Sequence, residues 1–295
     1  TRFSVSTTFT VEEVLFLRLV PSTLIMAPSI VGLLVHEAIG HTVEADFVQS
    51  GSVASGLLGK RVASDKVTLC DSGVSEFHAG AGGTIPVDDE GVLAQRTVII
   101  QDGILKSYLH NRESAAHYGV TPTGNARAWE YSDKPLIRMR NTYLEPGDET
   151  LDEMISSTED GYLLEGPRNG QADATAEFTF GVTTARRIVK GQLGELVRGV
   201  TVTGNAFEVL ETVDAVSREF RWDLGSGHCG KFAGASGSRS TSSFICTTSA
   251  SAGIVSSSHG CTGGGGALGR ESSTQKSSGS VFSSPSASSC RTSVR

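Results

Sequence analysis

Two histidines and a glutamate, His36, Glu37 and His41, lie within one six-residue stretch and could together form a metal site. Neutral imidazole nitrogens bind zinc readily, and a nearby carboxylate can take a proton from bound water and return it to a leaving amine. The run Ile30–Val35 before them is apolar on every side, which predicts a buried helix. Three ionisable groups entering a buried helix need charged partners or a metal. We therefore favour a metal site over ordinary hydrogen-bonded histidines.

The separation of His36 and His41 is five residues, one more than in the common zincin pattern. In a regular α-helix, a five-residue step turns the second side chain about 140° away from the first. A single-turn π-bulge absorbs one extra residue, and Gly40 has the backbone freedom to allow it. The spacing therefore predicts a distorted helix at this site.

The third metal ligand is left open by the spacing. A catalytic zinc takes three protein ligands and keeps one position open for water. Glu44 follows His41 by three residues and would lie near it on the helix surface. The distant residues Cys229 and His228 are the other candidates.

The wider pattern predicts an α+β fold with mainly antiparallel β-sheets and a buried, distorted helix that carries the metal-site residues. Asp102-Gly103 lies between the apolar segments 96–101 and 104–109 and predicts a hairpin, because Asp-Gly favours the left-handed turn that twisted strands prefer. Segment 188–197 predicts a second hairpin, and 176–182 alternates like a strand.

Helix ends are also marked in the sequence. Ser29 is the expected N-cap of the metal-site helix, which should run to about Phe47. Thr150 and Glu153 fit a capping box, and a further helix is expected over 206–213.

Composition limits the possible functions. The chain has 295 residues, 38% hydrophobic residues and a net charge of −7, so it can bury a substantial core, and its acidity argues against a nucleic-acid partner. The apolar stretch 14–35 is interrupted by Arg18, Pro21 and Pro28, so we expect no membrane span. The absence of a signal-peptide pattern predicts a cytoplasmic location.

Several residues that resemble site residues are expected to be structural. His78, His110 and His117 lack nearby metal-ligand partners in the sequence, so surface or hydrogen-bonding roles are predicted for them. Cys70 closes an apolar run and is interpreted as a packed strand residue.

Segment 33–47 resembles the active-site helix of the TldD/PmbA family of metallopeptidases, historically labelled a modulator of DNA gyrase. The likeness continues in the family's order and covers roughly 20–231. Its further blocks are 51–52, 59–64, 88–91, 95–97, 102–105, 123–127, 138–142, 146–148, 199–205 and Cys229-Gly230-Lys231.

This resemblance implies a metallopeptidase that holds zinc through His36, His41 and Cys229, with Glu37 as the catalytic carboxylate. It implies hydrolysis of flexible or unfolded peptides, and the predicted antiparallel sheets could hold such a peptide extended beside an edge strand. It also implies a homodimer, or a heterodimer with a paralogue of the family. Two alternatives stay open: a catalytically silent regulatory or assembly subunit, and a protein in which Glu37 orders a structural metal site.

The resemblance divides the chain into three parts. Residues 1–19 have no match, residues 20–231 form the metallopeptidase-like domain, and residues 232–295 are rich in Ser and Gly. This last segment is expected to be disordered or the product of a shifted reading frame, since the family continues there with apolar strands. The N-terminus is expected to be truncated relative to the family.

Overall fold

The computed structural model describes residues 23–223 and Lys231, except for the side chains of 169–171. Elsewhere it describes only the backbone of six short strands, which are included below.

Strands dominate the described residues. They are β1 Arg2–Ser4, β2 Thr10–Val11, β3 Thr23–Met26, β4 Leu69–Ser72, β5 Arg96–Gln101, β6 Ile104–Leu105, β7 Ala126–Arg127, β8 Leu136–Ile137, β9 Asn141–Leu144, β10 Asp160–Ala172, β11 Glu177–Val189, β12 Gln192–Val197, β13 Val200–Asn205, β14 Ala215–Val216, β15 Phe220–Asp223, β16 His228–Cys229, β17 Phe244–Ile245, β18 Thr247–Ser251 and β19 Ile254–Val255. The α-helices are α1 Pro28–Leu34, α2 Ala45–Gln49, α3 Arg112–Tyr118, α4 Leu151–Ser156 and α5 Ala206–Glu211. A π-helix, Val35–Gly40, and a 3₁₀-helix, His41–Val43, join α1 to α2.

The larger sheet has nine strands in the order β14-β19-β3-β10-β11-β13-β2, with β1 paired to β3 and β12 paired to β11. Its centre is the long antiparallel pair β10–β11, whose register runs from Asp160 opposite Val189 to Ala172 opposite Phe178. Phe178, Phe180 and Val182 alternate along β11 and are buried. This strand therefore has the buried-and-exposed alternation that the sequence predicts.

The second sheet has six strands in the order β15-β18-β9-β4-β5-β6. Both predicted hairpins are present, as β5–β6 and β11–β12. Asp102 and Gly103 both have positive φ, 48° and 78°, as the predicted turn requires. All but two of the strand pairings within the two large sheets are antiparallel; the exceptions join β10 to β3 and β18 to β9. The predicted α+β class is confirmed.

The helix-end predictions are confirmed in two cases and wrong in a third. In addition, the helix expected to run to about Phe47 is interrupted at Glu44, whose backbone is extended. Thr150 and Glu153 form the capping box of α4, and α5 begins after Asn205, whose side chain accepts from the amides of Phe207 and Glu208. Ser29 is not the N-cap of α1. The cap residue is Ala27, which makes no side-chain hydrogen bond. Helix α1 begins at Pro28, two residues before the start that a cap at Ser29 would give, and the fixed φ of proline suits the first helical position.

Helix α1 is held inside the protein from its first residue. The Ala27 amide donates to the carbonyl oxygen of Leu164 on β10 at 2.9 Å, directly after β3 ends. Ile30, Val31 and Leu34 then enter the main core, so the helix is buried as its apolar sequence predicts. Within the described ranges, no helix is both long and apolar enough to span a bilayer.

Candidate metal centre

His36 lies in a π-helix over Val35–Gly40, and His41 directly follows it as the first residue of the 3₁₀-helix, so the helix is distorted as the five-residue spacing predicts. The amide of His41 donates to the carbonyl oxygen of His36, which is the i to i+5 bond of a π-turn. This bond returns the chain to the same side of the helix after five residues. The two imidazoles that a regular α-helix would separate are therefore neighbours.

The side chains of His36, Glu37 and His41 form a compact group that could hold a metal ion. One ligand atom from each residue lies within 4.8 Å of the other two. The two imidazole rings have centroids 5.0 Å apart and are nearly perpendicular, at 82°. Glu37 Oε2 is 3.8 Å from His41 Nε2, and the His41 side chain retains 16% exposure. The group is thus largely buried, with its most open side at His41.

Gly40 contributes to the packing of this site rather than to the backbone freedom that the sequence suggests. Its φ and ψ are −56° and −46°, which are ordinary right-handed helical values, so the bulge does not depend on glycine's backbone freedom. A Cβ atom at this position would instead overlap the sulfur of Met139. The absence of a side chain lets Met139 pack against the π-helix between the two histidines.

Glu44 lies on the opposite side of His41 from Glu37. Its Oε1 atom is 3.6 Å from His41 Nδ1, whereas Glu37 faces Nε2. Glu44 is therefore outside the group that could hold the ion, although the sequence allows it as a third ligand. Burial by itself would raise the pKa of Glu44, but the charge of Lys231, with a contribution from His41, holds it well below its ordinary value.

The Lys231 side chain is held beside Glu44, just after the 3₁₀-helix ends. Its Nζ donates to Glu44 Oε2 at 2.6 Å, to Asp46 Oδ1 at 2.6 Å and to the carbonyl oxygen of Ile137 at 3.1 Å. It also lies 4.2 Å from the centroid of the Phe47 ring. The sequence analysis includes Lys231 only as the end of the resemblance, because nothing local links it to its carboxylate partners Asp46 and Glu44, which lie 185 and 187 positions away.

Cys229 and His228 form the short strand β16, but their side chains lie outside the described residues. The assignment of Cys229 as a ligand therefore stays a prediction. Two residues of chain span at most about 7 Å. The Cα atom of Cys229 therefore lies within about 7 Å of the Cα atom of Lys231, whose side chain reaches Glu44.

His110 and Cys70, for which the sequence predicts structural roles, are both buried. His110 is 3% exposed, its Nδ1 is 3.1 Å from Ser114 Oγ, and burial lowers its pKa to about 4. Cys70 is buried on β4, where burial raises the pKa of its thiol to about 11. Both contexts agree with the predicted hydrogen-bonding and packing roles.

Comparison with known proteins identifies a family. Its profile, described as PmbA/TldA metallopeptidase C-terminal domain, matches residues 21–251. A metalloprotease of Methanocaldococcus jannaschii is 42% identical over 209 residues, which are 70% of this chain and 45% of that protein. The zinc metalloprotease TldD homolog of Saccharolobus solfataricus is 36% identical over 207 residues, 70% of this chain and 46% of the homolog.

Among solved structures, TldE from Thermococcus kodakarensis has a similar fold, with a TM-score of 0.61 at 21% identity, covering 86% of this chain and 49% of TldE. The chain thus spans less than half the length of the two relatives above. The predicted domain limits at 19/20 and 231/232 stay predictions.

Proposed function

Because the chain belongs to the PmbA/TldA metallopeptidase C-terminal domain family, we propose that it carries the catalytic centre of a zinc-dependent peptidase. The observation that supports this best is the π-helix, which brings His36, Glu37 and His41 to within 4.8 Å of one another in a buried setting. The donor set suits zinc, since two imidazoles and a thiolate are ligands that this metal prefers. In this proposal His36, His41 and Cys229 hold the ion.

When bound, zinc would polarise the scissile carbonyl and lower the pKa of a water molecule. The chain's own contribution to proton transfer is Glu37. It follows His36 directly and presents Oε2 to the same side as His41 Nε2, at 3.8 Å. A carboxylate in this position can accept the proton from the attacking water and deliver it to the leaving amine. Glu37 is therefore the proposed general base and acid.

The proposed substrate is a flexible or unfolded peptide bound in an extended conformation beside an edge strand. The backbone of such a peptide is recognised through main-chain hydrogen bonds, which places few demands on its sequence. The proposed assembly is a homodimer, or a heterodimer with a family paralogue, and the fold likeness to TldE supports a paralogue of that kind. We propose a cytoplasmic location.

The test is zinc content per chain together with peptide hydrolysis, for the unmodified protein, Glu37→Ala and Cys229→Ala. We expect near-stoichiometric zinc in the unmodified protein and in Glu37→Ala, and little in Cys229→Ala, with hydrolysis lost in both variants. Loss of general acid–base catalysis costs about 10²–10⁴-fold in rate.

Two other results would redirect the assignment. An unmodified chain without zinc would indicate the silent regulatory or assembly subunit. Zinc that is bound without hydrolysis, and with four protein ligands, would indicate a structural metal site.

A further inference from the structure

The carboxylate of Glu44 lies between His41, a proposed zinc ligand, and Lys231, which follows the proposed ligand Cys229 by two residues. Glu44 is fully buried, and its two oxygens face different partners. Oε2 accepts from Lys231 Nζ at 2.6 Å, and Oε1 lies 3.6 Å from Nδ1 of His41. Glu44 therefore bridges the metal-site helix and the Cys229-Gly230-Lys231 segment.

The Oε1 atom of Glu44 is buried and has no hydrogen-bond partner among the residues that the structure describes. A buried carboxylate oxygen without a donor is costly, so this atom should gain one in the working protein. The facing atom, His41 Nδ1, is suitably placed. A shift of a few tenths of an ångström in either side chain would bring the pair within hydrogen-bonding distance.

A histidine that binds a metal through one ring nitrogen needs its proton on the other, and a hydrogen bond to that second nitrogen fixes both the tautomer and the ring orientation. In His41, Nε2 faces Glu37 and Nδ1 faces Glu44. An acceptor at Nδ1 therefore leaves Nε2 deprotonated on the side of the group that could hold the ion.

We propose that Glu44 is a positioning residue of the metal centre, which holds the proton of His41 on Nδ1 with one oxygen and anchors Lys231, and hence the Cys229 segment, with the other. This inference rests on the proposed zinc site. Its consequence is that metal affinity depends on a carboxylate that does not itself bind the metal, and on a lysine contact made across 187 residues of sequence.

Two substitutions separate this role from a general electrostatic one. Glu44→Gln and Asp46→Asn each remove one negative charge from the surroundings of Lys231, and both changes keep the side-chain shape. Asp46 is an anchor of Lys231 that is 35% exposed, and its carboxylate accepts from Lys231 and from the Phe47 amide rather than facing His41. In Glu44→Gln, the single amide oxygen cannot serve both the ammonium group and the imidazole.

The experiment is Co²⁺ titration of the full chain, followed by the visible d–d bands of tetrahedral cobalt and the near-ultraviolet band of a cobalt–thiolate bond. We expect Glu44→Gln to weaken Co²⁺ binding by about 10–100-fold, the usual effect of losing such a partner. Asp46→Asn should change the affinity by less than about threefold. Lys231→Met should diminish the thiolate band relative to the d–d bands, since the Cys229 segment loses its anchor.

The double variant Glu44→Met/Lys231→Met is the control for loss of folding. It replaces a buried ion pair by apolar side chains and should keep or regain thermal stability. We expect its Co²⁺ affinity to stay low, because no acceptor faces His41 Nδ1. Affinity restored to that of the unmodified protein, or equal effects of Glu44→Gln and Asp46→Asn, would overturn the inference while the zinc site stands. An unmodified chain that binds no metal would overturn both proposals.

Discussion

The metal-site group of His36, Glu37 and His41 and the network around Asp71 are two buried groups of ionisable residues that differ in the distances between their polar atoms. In the network, the Asp71 carboxylate accepts hydrogen bonds of 2.8–3.0 Å from the Asn125 amide, the Arg140 backbone and guanidinium, and the Thr142 hydroxyl. In the metal-site group, Glu37 and His41 are 3.8 Å apart and the ligand atoms spread over as much as 4.8 Å.

This difference shows what separates a structural cluster from a candidate metal site. Distances of 2.8–3.0 Å are direct hydrogen bonds and leave no room for an ion. Two ligands on one tetrahedral zinc, each about 2.0–2.1 Å from it, lie about 3.3 Å apart. Side chains whose ligand atoms lie within 4.8 Å of one another therefore leave room for an ion between them. Burial of charged groups is common to both regions, so the spacing of the ligand atoms is the informative feature.

The largest effect that tests this comparison should come from Asp71→Ala. The change would leave the fully buried Arg140 guanidinium without its carboxylate, which typically costs about 3–5 kcal/mol. Urea unfolding would measure the loss, and zinc bound per folded chain should not change. The control is Asp160→Ala, which breaks an exposed ion pair with Arg187 and should cost less than about 1 kcal/mol. Equal losses in the two variants would contradict a structural role for the network.

A smaller effect, at acidic pH, should come from His110, a buried histidine of the structural kind. Its folded-state pKa of about 4 lies below the ordinary value of 6.5, so between these values the unfolded chain binds a proton that the folded chain does not. Stability should therefore be complete above about pH 6.5 and fall as the pH drops towards 4, by about 3 kcal/mol in total.

Urea unfolding between pH 4.5 and 7 would measure this dependence in the unmodified protein and in His110→Gln. The variant should show a flatter pH profile in this range. His117→Gln alters an exposed histidine of α3 and should retain the full slope. A slope unchanged by His110→Gln would show that other groups cause the acid sensitivity.

The smallest of the three effects should come from Gly40→Ala, which tests how closely packing controls the metal-site geometry. The added methyl group would overlap the Met139 sulfur, and overpacking of this kind costs about 1–3 kcal/mol. Because Gly40 lies between the two proposed histidine ligands, zinc affinity should fall as well. Thermal unfolding and zinc titration would follow both losses, and Gly40→Ala/Met139→Ala should recover most of each. No recovery would exclude the Met139 contact as the cause.

The sequence predicts much of the fold where the signal is local. The Asp102-Gly103 turn, the Thr150–Glu153 capping box and the π-distortion between His36 and His41 each depend on residues within a few positions of one another. Local steric and hydrogen-bonding rules decide such features, so they can be predicted from a short stretch of chain. The predicted N-cap at Ser29 is the exception. Helix α1 starts earlier because the chain leaves β3 at Ala27, whose amide is hydrogen-bonded to Leu164 of β10.

The sequence could not predict contacts between distant segments. Asp71 meets Arg140 across 69 residues, Lys231 meets Glu44 across 187, and Met139 packs against Gly40 from another part of the chain. None of these pairs has a spacing pattern that a reader of the sequence could recognise. The choice of Cys229 as the proposed third ligand, over Glu44 and His228, came only from the resemblance to a family.

The sequence by itself determined the chemical identity of the candidate site, because the residue types and the five-residue spacing of His36, Glu37 and His41 define both a ligand set and a distorted helix. Only the tertiary structure decided which nitrogen of His41 faces Glu37, and that Glu44 faces the other nitrogen and lies outside the group that could hold the ion. The reason is physical. The orientation of a side chain in a buried site is set by the neighbours that pack and hydrogen-bond around it, and here those neighbours arrive from distant parts of the chain.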